Sequence, residues 1–106
     1  MELETLLTGS KWQIIKLLAT KEMSPLELSK ELGTTIANIS MQLRLLETAG
    51  LVTKKKIGTT KPGKPRTKYS ISQDYAFITI ITKGFAKKKL VKIGKREKEV
   101  LKQILS

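Results

Sequence analysis

The sequence predicts an α+β protein in which a three-helix core is followed by a β-hairpin and by a C-terminal extension of strand and helix. Three observations support this fold class. Helix start signals recur near Ser10, Ser24 and Thr35. The apolar residues behind each signal repeat every three or four positions, as on one face of a helix. After Gly50 the pattern changes to the alternation typical of β-strands.

The first helix is predicted from about Ser10 to Ala19, since Ser10 and Gln13 have the spacing of a capping box. Its apolar face is expected to consist of Ile14, Ile15, Leu17 and Leu18. Trp12 is the only tryptophan. We interpret it as a residue that packs against the N-terminal leucines or a dimer partner, because no aromatic residue accompanies it as in a ligand platform.

The second helix has start and stop signals that agree. Ser24 is a preferred N-cap residue, Pro25 stands at the first helical position and Glu27 completes a capping box. Gly33 allows the positive φ that ends a helix at little steric cost. The apolar face of this helix is predicted to contain Leu26, Leu28 and Leu32.

The third helix is predicted over residues 35–48, with Thr34 or Thr35 as its N-cap. Its buried stripe is expected to be Ile39, Leu43 and Leu46. The other face carries short, polar or flexible side chains, namely Thr35, Ala37, Asn38, Ser40, Met41, Gln42 and Arg44. Asn38 and Gln42 lie four residues apart and should project together, and such side chains can match base edges. The second and third helices thus form a candidate helix-turn-helix.

The net charge of the chain is extreme for its length. It is +12 over 106 residues, with a pI near 10.1. Residues 1–53 hold five Lys or Arg against six acids, whereas residues 54–106 hold sixteen against three. A polyanionic partner, either nucleic acid or an acidic membrane surface, is therefore expected for the second half.

A basic hairpin is predicted directly after the third helix. Residues 51–57 and 66–72 alternate like two strands, and the intervening loop holds two glycines and two prolines. Its cations are Lys54, Lys55, Lys56, Lys61, Lys64, Arg66 and Lys68, and no acid interrupts them. A run of charge is usually a solvated face. Beside a reading helix, however, such a hairpin can lie along the phosphate backbone and neutralise it.

Three segments resemble the winged helix-turn-helix of the ArsR-type transcriptional regulators, especially their archaeal members: LLTGSKWQIIKLL, MSPLELSKELGTTIANISMQLRLLETAGLV and TKYSIS. The resemblance covers about residues 3–72 and is most specific over 26–52. It implies that the helix 35–48 enters the major groove and that residues 51–72 form the wing. Thr35, Ala37, Asn38, Ser40, Met41 and Gln42 would then face DNA. Many members sense metals through cysteine and histidine, and this chain has neither.

Residues 74–106 are predicted to form an extension separate from a domain of residues 1–73. Residues 76–82 indicate a strand, residues 85–93 either a second strand or a helix, and an amphipathic helix is expected from Lys95. We interpret two apolar sets as a dimer interface: Leu3, Leu6, Leu7, Val100, Leu101, Ile104 and Leu105. The alternative for the terminal helix is packing on its own domain.

The leading functional hypothesis is a sequence-specific double-stranded DNA-binding transcriptional regulator that acts as a homodimer. Two reading helices would enter successive major grooves about 34 Å apart on a palindromic operator. One alternative is a protein-interaction module of the transcription or replication machinery, which should expose an apolar patch on the reading face. Another is a nonspecific nucleic-acid-binding protein, although five aromatic residues offer few stacking platforms for single strands.

Residues absent from the sequence exclude several classes of function. Without cysteine or histidine there is no thiol nucleophile, imidazole base or usual transition-metal site, so neither an enzyme nor a metal or other cofactor is predicted. The longest apolar runs are far shorter than the roughly 20 residues that span a bilayer, so no membrane partner is expected. The N-terminus lacks the pattern of a secretory signal, which predicts a cytoplasmic protein.

Overall fold

The structure is a computed structural model that describes residues 7–57 and 66–106. The chain divides into two compact units, Met1–Ser72 and Gln73–Ser106. Each unit contains its own antiparallel two-stranded sheet.

In its described residues, 7–57 and 66–72, the first unit contains three helices followed by a hairpin. Its elements are α1 (Gly9–Leu18), α2 (Pro25–Leu32), α3 (Ile36–Thr48), β1 (Val52–Ile57) and β2 (Arg66–Ile71). The strands pair antiparallel with Val52 opposite Ile71. This arrangement is a winged helix-turn-helix, so the predicted α+β fold class is confirmed.

The core of this unit is formed where the three helices meet. Its fully buried side chains are Ile14, Leu28, Ile39, Leu43 and Leu46, and Leu18, Met23, Leu51 and Val52 are nearly as buried. The predicted stripe of α3 is therefore confirmed. Burial of each large aliphatic side chain contributes about 1.5–3 kcal/mol, so this cluster holds α3 against the other helices.

The ends of α2 have the predicted geometry. Glu27 N donates to Ser24 Oγ at 3.1 Å, and Ser24 N donates to Glu27 Oε1 at 3.0 Å, which completes the capping box. Gly33 ends the helix with φ +65°. The placement of Leu26 on the apolar face was wrong, since it is 49% exposed. Leu26 and Leu28 are two positions apart in the sequence, which is about 200° around the helix, so they cannot share one face.

The start of α1 differs from the prediction. The chain enters the helix through Gly9 at φ +59°, and Trp12 N donates to the Thr8 carbonyl at 3.4 Å. Ser10 therefore lies inside the first turn and is not the N-cap; that residue is Thr8, whose side chain makes no cap hydrogen bond. Trp12 is 41% exposed. The N-terminal leucines Leu3 and Leu6, against which it was predicted to pack, lie outside the described residues.

The hairpin is tied to the core by backbone hydrogen bonds. Met23 N donates to the Tyr69 carbonyl at 3.1 Å, and Tyr69 N donates to the Met23 carbonyl at 2.8 Å. At the base of the hairpin, Ser72 Oγ donates to the Gly50 carbonyl at 2.6 Å. The strands of the wing are therefore held at a defined position relative to α2 and α3.

The second unit consists of a hairpin and a helix. Its elements are β3 (Tyr75–Ile81), β4 (Ala86–Lys92) and α4 (Lys95–Leu105), and Ile78 lies opposite Lys89 in the antiparallel pair. Thr82 N donates to the Phe85 carbonyl at 3.0 Å to close the turn. Of the two alternatives for residues 85–93, the strand is confirmed, because the ladder with β3 satisfies the backbone groups of β4.

Glu27 is expected to make the first unit less stable at acid pH. The Ser24 backbone N–H, the Ser24 hydroxyl and the Lys68 ammonium group lower the pKa of Glu27 below its ordinary value of 4.5. A lowered folded pKa stabilises the fold above the ordinary value, and this contribution is lost as the pH falls through the folded pKa. We expect Glu27→Gln to weaken the dependence of the urea midpoint on pH between about 7 and 3. Glu31→Gln on the same helix is the matched control, and an equal effect of both variants would contradict the prediction.

Candidate nucleic-acid interface

The start of α3 is set by the turn that joins it to α2. Thr35 has extended backbone angles, and its Oγ1 accepts a hydrogen bond from Asn38 N at 3.1 Å. Of the two predicted N-cap residues, Thr35 is the one observed. Because Ile39, Leu43 and Leu46 face the core, the opposite side of α3 is directed to solvent.

The solvent face of α3 is more apolar than predicted. Thr35, Ala37 and Arg44 are exposed, Ser40 is half-buried and Met41 is 51% exposed. Ile36 was missed by the sequence reasoning and is 48% exposed. It stands three residues before Ile39 and so continues the spacing of the buried stripe, which hid its exposure. The only feature of the sequence that could have indicated this exposure is the position of Ile36 in the first turn of the helix.

Asn38 and Gln42 lie together, as their spacing predicted. Asn38 Nδ2 donates to Thr34 Oγ1 at 3.0 Å, and Gln42 Nε2 donates to Asn38 Oδ1 at 3.3 Å. Both side chains are half-buried. Gln42 Oε1 is buried and accepts no hydrogen bond from the part of the chain that the structure describes. Thr34, considered only as a possible cap in the sequence, is therefore a partner that orients Asn38.

The cations of the wing fall into two groups. Lys55 Nζ lies 3.0 Å from Glu22 Oε1, and Lys68 Nζ lies 3.6 Å from Glu27 Oε1. These two lysines are directly opposite each other in the sheet.

Lys54 and Lys56 alternate with Lys55 along β1 and therefore project from the other side of the hairpin. Both are exposed, and neither has a carboxylate partner among residues 7–57 and 66–106. Lys61 and Lys64 lie outside the described residues, as does the side chain of Arg66, whose backbone is in β2. Lys55 and Lys68 are therefore engaged by carboxylates, whereas Lys54 and Lys56 are open to a ligand.

The residues predicted to form a dimer interface are only partly described. Leu3 and Leu6 lie outside the described residues, and Leu7 is half-buried. On α4, Val100, Ile104 and Leu105 are exposed, with Leu105 at 86%. Leu101 is half-buried and lines a shallow groove together with Val100, Ile78 and Val91.

Two further features concern metals and membranes. Among the described residues there is no group of three or more acidic side chains that could hold a metal ion. In the same parts of the chain, the helices are too short or too polar to cross a bilayer.

Comparison with known proteins identifies the helix-turn-helix. Residues 9–54 match the family "Bacterial regulatory protein, arsR family". Reduced HlyU from Vibrio cholerae N16961 is 27% identical, with a TM-score of 0.57 over 67% of this chain and 68% of that chain.

A second solved structure shares the fold. The ferric uptake regulator from Francisella tularensis, solved with iron, is 22% identical, with a TM-score of 0.50 over 98% of this chain and 80% of that chain. No curated protein matches the chain in sequence. Residues 9–54 of this chain are therefore similar to the arsR family of bacterial regulatory proteins, a family that binds double-stranded DNA.

Proposed function

We propose that this protein is a sequence-specific transcriptional regulator that binds double-stranded DNA as a homodimer in the cytoplasm. One observation carries the proposal: α3 contacts the first strand of a hairpin whose Lys54 and Lys56 are exposed and unpaired among the described residues. A helix fits the major groove of B-DNA, and lysines on an adjacent hairpin can neutralise the phosphates that flank it. The proposal includes no metal or other cofactor.

The contacts with DNA are assigned to two elements. From α3, the base-facing residues are Thr35, Ala37, Asn38, Ser40, Met41 and Gln42, with Arg44 nearer the backbone. From the wing, the phosphate contacts are assigned to Lys54, Lys55, Lys56, Lys61, Lys64, Arg66 and Lys68. Of these, Lys55 and Lys68 already lie in ion pairs and should contribute least. Asn38 uses one Nδ2 proton and one lone pair of Oδ1 within the helix, so it retains one of each for an adenine edge.

Dimerisation is assigned to the apolar residues of the two termini, Leu3, Leu6, Leu7, Val100, Leu101, Ile104 and Leu105. The exposed stripe of α4 supports this, because Val100 and Ile104 lie four residues apart on one face of a helix whose other residues are mostly charged. A two-fold dimer would present two copies of α3 to half-sites about 34 Å apart.

The test is selection of bound duplexes from a random double-stranded DNA pool by the purified protein. Recovery of an inverted repeat with half-sites separated by about one helical turn is expected. The mass of the complex in solution, measured by light scattering, should correspond to two chains per duplex. A pool without enrichment would refute sequence-specific binding, and a single half-site bound by one chain would refute the dimer.

Asn38→Ala is expected to weaken binding to the selected duplex by about 1–3 kcal/mol, the value of one bidentate base contact. Binding to random duplex should change little, because that binding depends on phosphates. Alanine favours helix, so the variant should fold. Thr34→Val, which removes the hydroxyl that holds Asn38 Nδ2, should have a smaller effect in the same direction. An equal loss on both duplexes would show that Asn38 does not read bases.

A protein-interaction module is the second candidate, and one observation favours it. Met41 is about half exposed, which gives the reading face a large apolar side chain that a protein partner could cover. The selection experiment separates the two functions, because an interaction module would not enrich any DNA sequence. A nonspecific nucleic-acid-binding protein would bind the pool without enrichment.

A further inference from the structure

Met41 lies on the side of α3 opposite the buried stripe of Ile39, Leu43 and Leu46. Its side chain is 51% exposed, whereas Asn38 and Gln42 are half-buried and hydrogen-bonded to each other. Ala37 stands four residues before Met41 and is also exposed, so the two lie one above the other on the helix surface. A surface that meets this face therefore meets methyl and thioether groups before it meets the two amides.

The major groove offers one apolar group to such side chains. Guanine, adenine and cytosine present hydrogen-bond donors and acceptors there, whereas thymine adds the C5-methyl group. A polar base edge placed against Met41 would lose its hydrogen bonds to water without replacement. Thymine can instead bury its methyl group against the flexible side chain of methionine, which adapts readily to its surroundings.

The charges around this face favour DNA over an apolar protein partner. Arg44 is exposed one turn beyond Met41, and the chain places Lys54 and Lys56 on the strand that follows α3. No acidic residue follows Glu47 before Asp74. An exposed apolar side chain with basic residues on the same helix and on the next strand suits a ligand that is polyanionic and also presents a methyl group, as DNA does at thymine.

We propose that Met41 is a specificity-determining residue that selects thymine by contact with its C5-methyl group. The inference rests on the proposed function, since it requires that α3 enter the major groove. It adds an apolar readout to the hydrogen bonds assigned to Asn38. It also accounts for the exposure of a large apolar side chain, Met41, on a face that the sequence indicated to be polar.

The test compares the selected duplex with the same duplex made with uracil in place of thymine at each half-site position in turn. Uracil lacks only the methyl group, so the Watson–Crick pairing and the rest of the groove are kept. At the position beneath Met41, the substitution should weaken binding about fourfold, as expected for one buried methyl group. Met41→Ala should weaken binding to the thymine duplex by a similar factor and reduce the thymine-to-uracil ratio to about one.

Two further variants control the result. Met41→Leu keeps an apolar group at the site and should keep most of the preference for thymine. Leu26→Ala removes a side chain of equal exposure, 49%, from α2 and should leave the ratio unchanged.

The outcomes separate the inference from the proposed function. If no duplex is enriched in the selection, the proposed function fails, and this inference fails with it. If a duplex is enriched but no thymine shows a preference over uracil that Met41→Ala abolishes, the proposed function stands and the thymine readout is overturned.

Discussion

Replacement of both Lys54 and Lys56 by alanine is expected to weaken binding to every duplex and to lower the slope of log K against log salt by up to about 2. Each phosphate neutralised on B-DNA contributes about 0.9 to that slope through counterion release. The two lysines are exposed on β1, and neither lies in an ion pair among the described residues. Titration of duplex DNA at several salt concentrations measures the slope directly.

The hairpin supplies a matched control for this experiment. Lys55→Ala combined with Lys68→Ala removes the same charge from the same hairpin, with one lysine from each strand. Because their ammonium groups already lie 3.0 and 3.6 Å from carboxylate oxygens, this pair should change the slope less. An unchanged slope in the Lys54 and Lys56 variant would exclude this part of the wing from the DNA contact, and equal changes in both variants would show that the ion pairs open on binding.

Leu43→Ala is expected to lower the free energy of unfolding by about 2–5 kcal/mol, the usual effect of truncating a buried leucine. Leu43 is fully buried at the centre of the stripe through which α3 contacts the other helices. Small domains are stable by only about 5–15 kcal/mol, so much of the margin would be lost. Urea denaturation followed by circular dichroism measures the change.

Met41→Ala provides the comparison within the same helix. It lies two residues away on the solvent side, 51% exposed, and should change the stability by less than about 0.5 kcal/mol. If the two variants were equally destabilised, the buried stripe would not be what holds α3 in place. The contrast also shows that effects of Met41→Ala on DNA affinity do not arise from unfolding.

Local signals in the sequence predicted the helix-turn-helix well. The capping box of Ser24 and Glu27 and the left-handed Gly33 depend on hydrogen bonds and dihedral angles within a few residues, so their residue types are sufficient to indicate them. The stripe of α3 depends only on helical period. Ser10 shows the limit of such reasoning: its spacing to Gln13 is that of a capping box, but Gly9 redirects the backbone so that the helix begins earlier.

The sequence predicted which elements form the candidate site, but not how their side chains are arranged. The sequence indicated which helix and which hairpin form it. It did not indicate that Ile36 is exposed, that Thr34 holds Asn38, or that Lys55 and Lys68 are engaged by acids of α2 and the turn before it. Each of these depends on which elements pack together, and helical period does not contain that information.

The sequence by itself determined the class of the protein. Its helical periods, caps and charge distribution are properties of neighbouring residues, and they specify a winged helix-turn-helix with a basic second half. Only the tertiary structure decided which side chains of α3 and the wing are open to a ligand. The reason is that exposure and ion pairing are set by contacts between residues distant in the chain, such as Lys55 with Glu22 and Met23 with Tyr69.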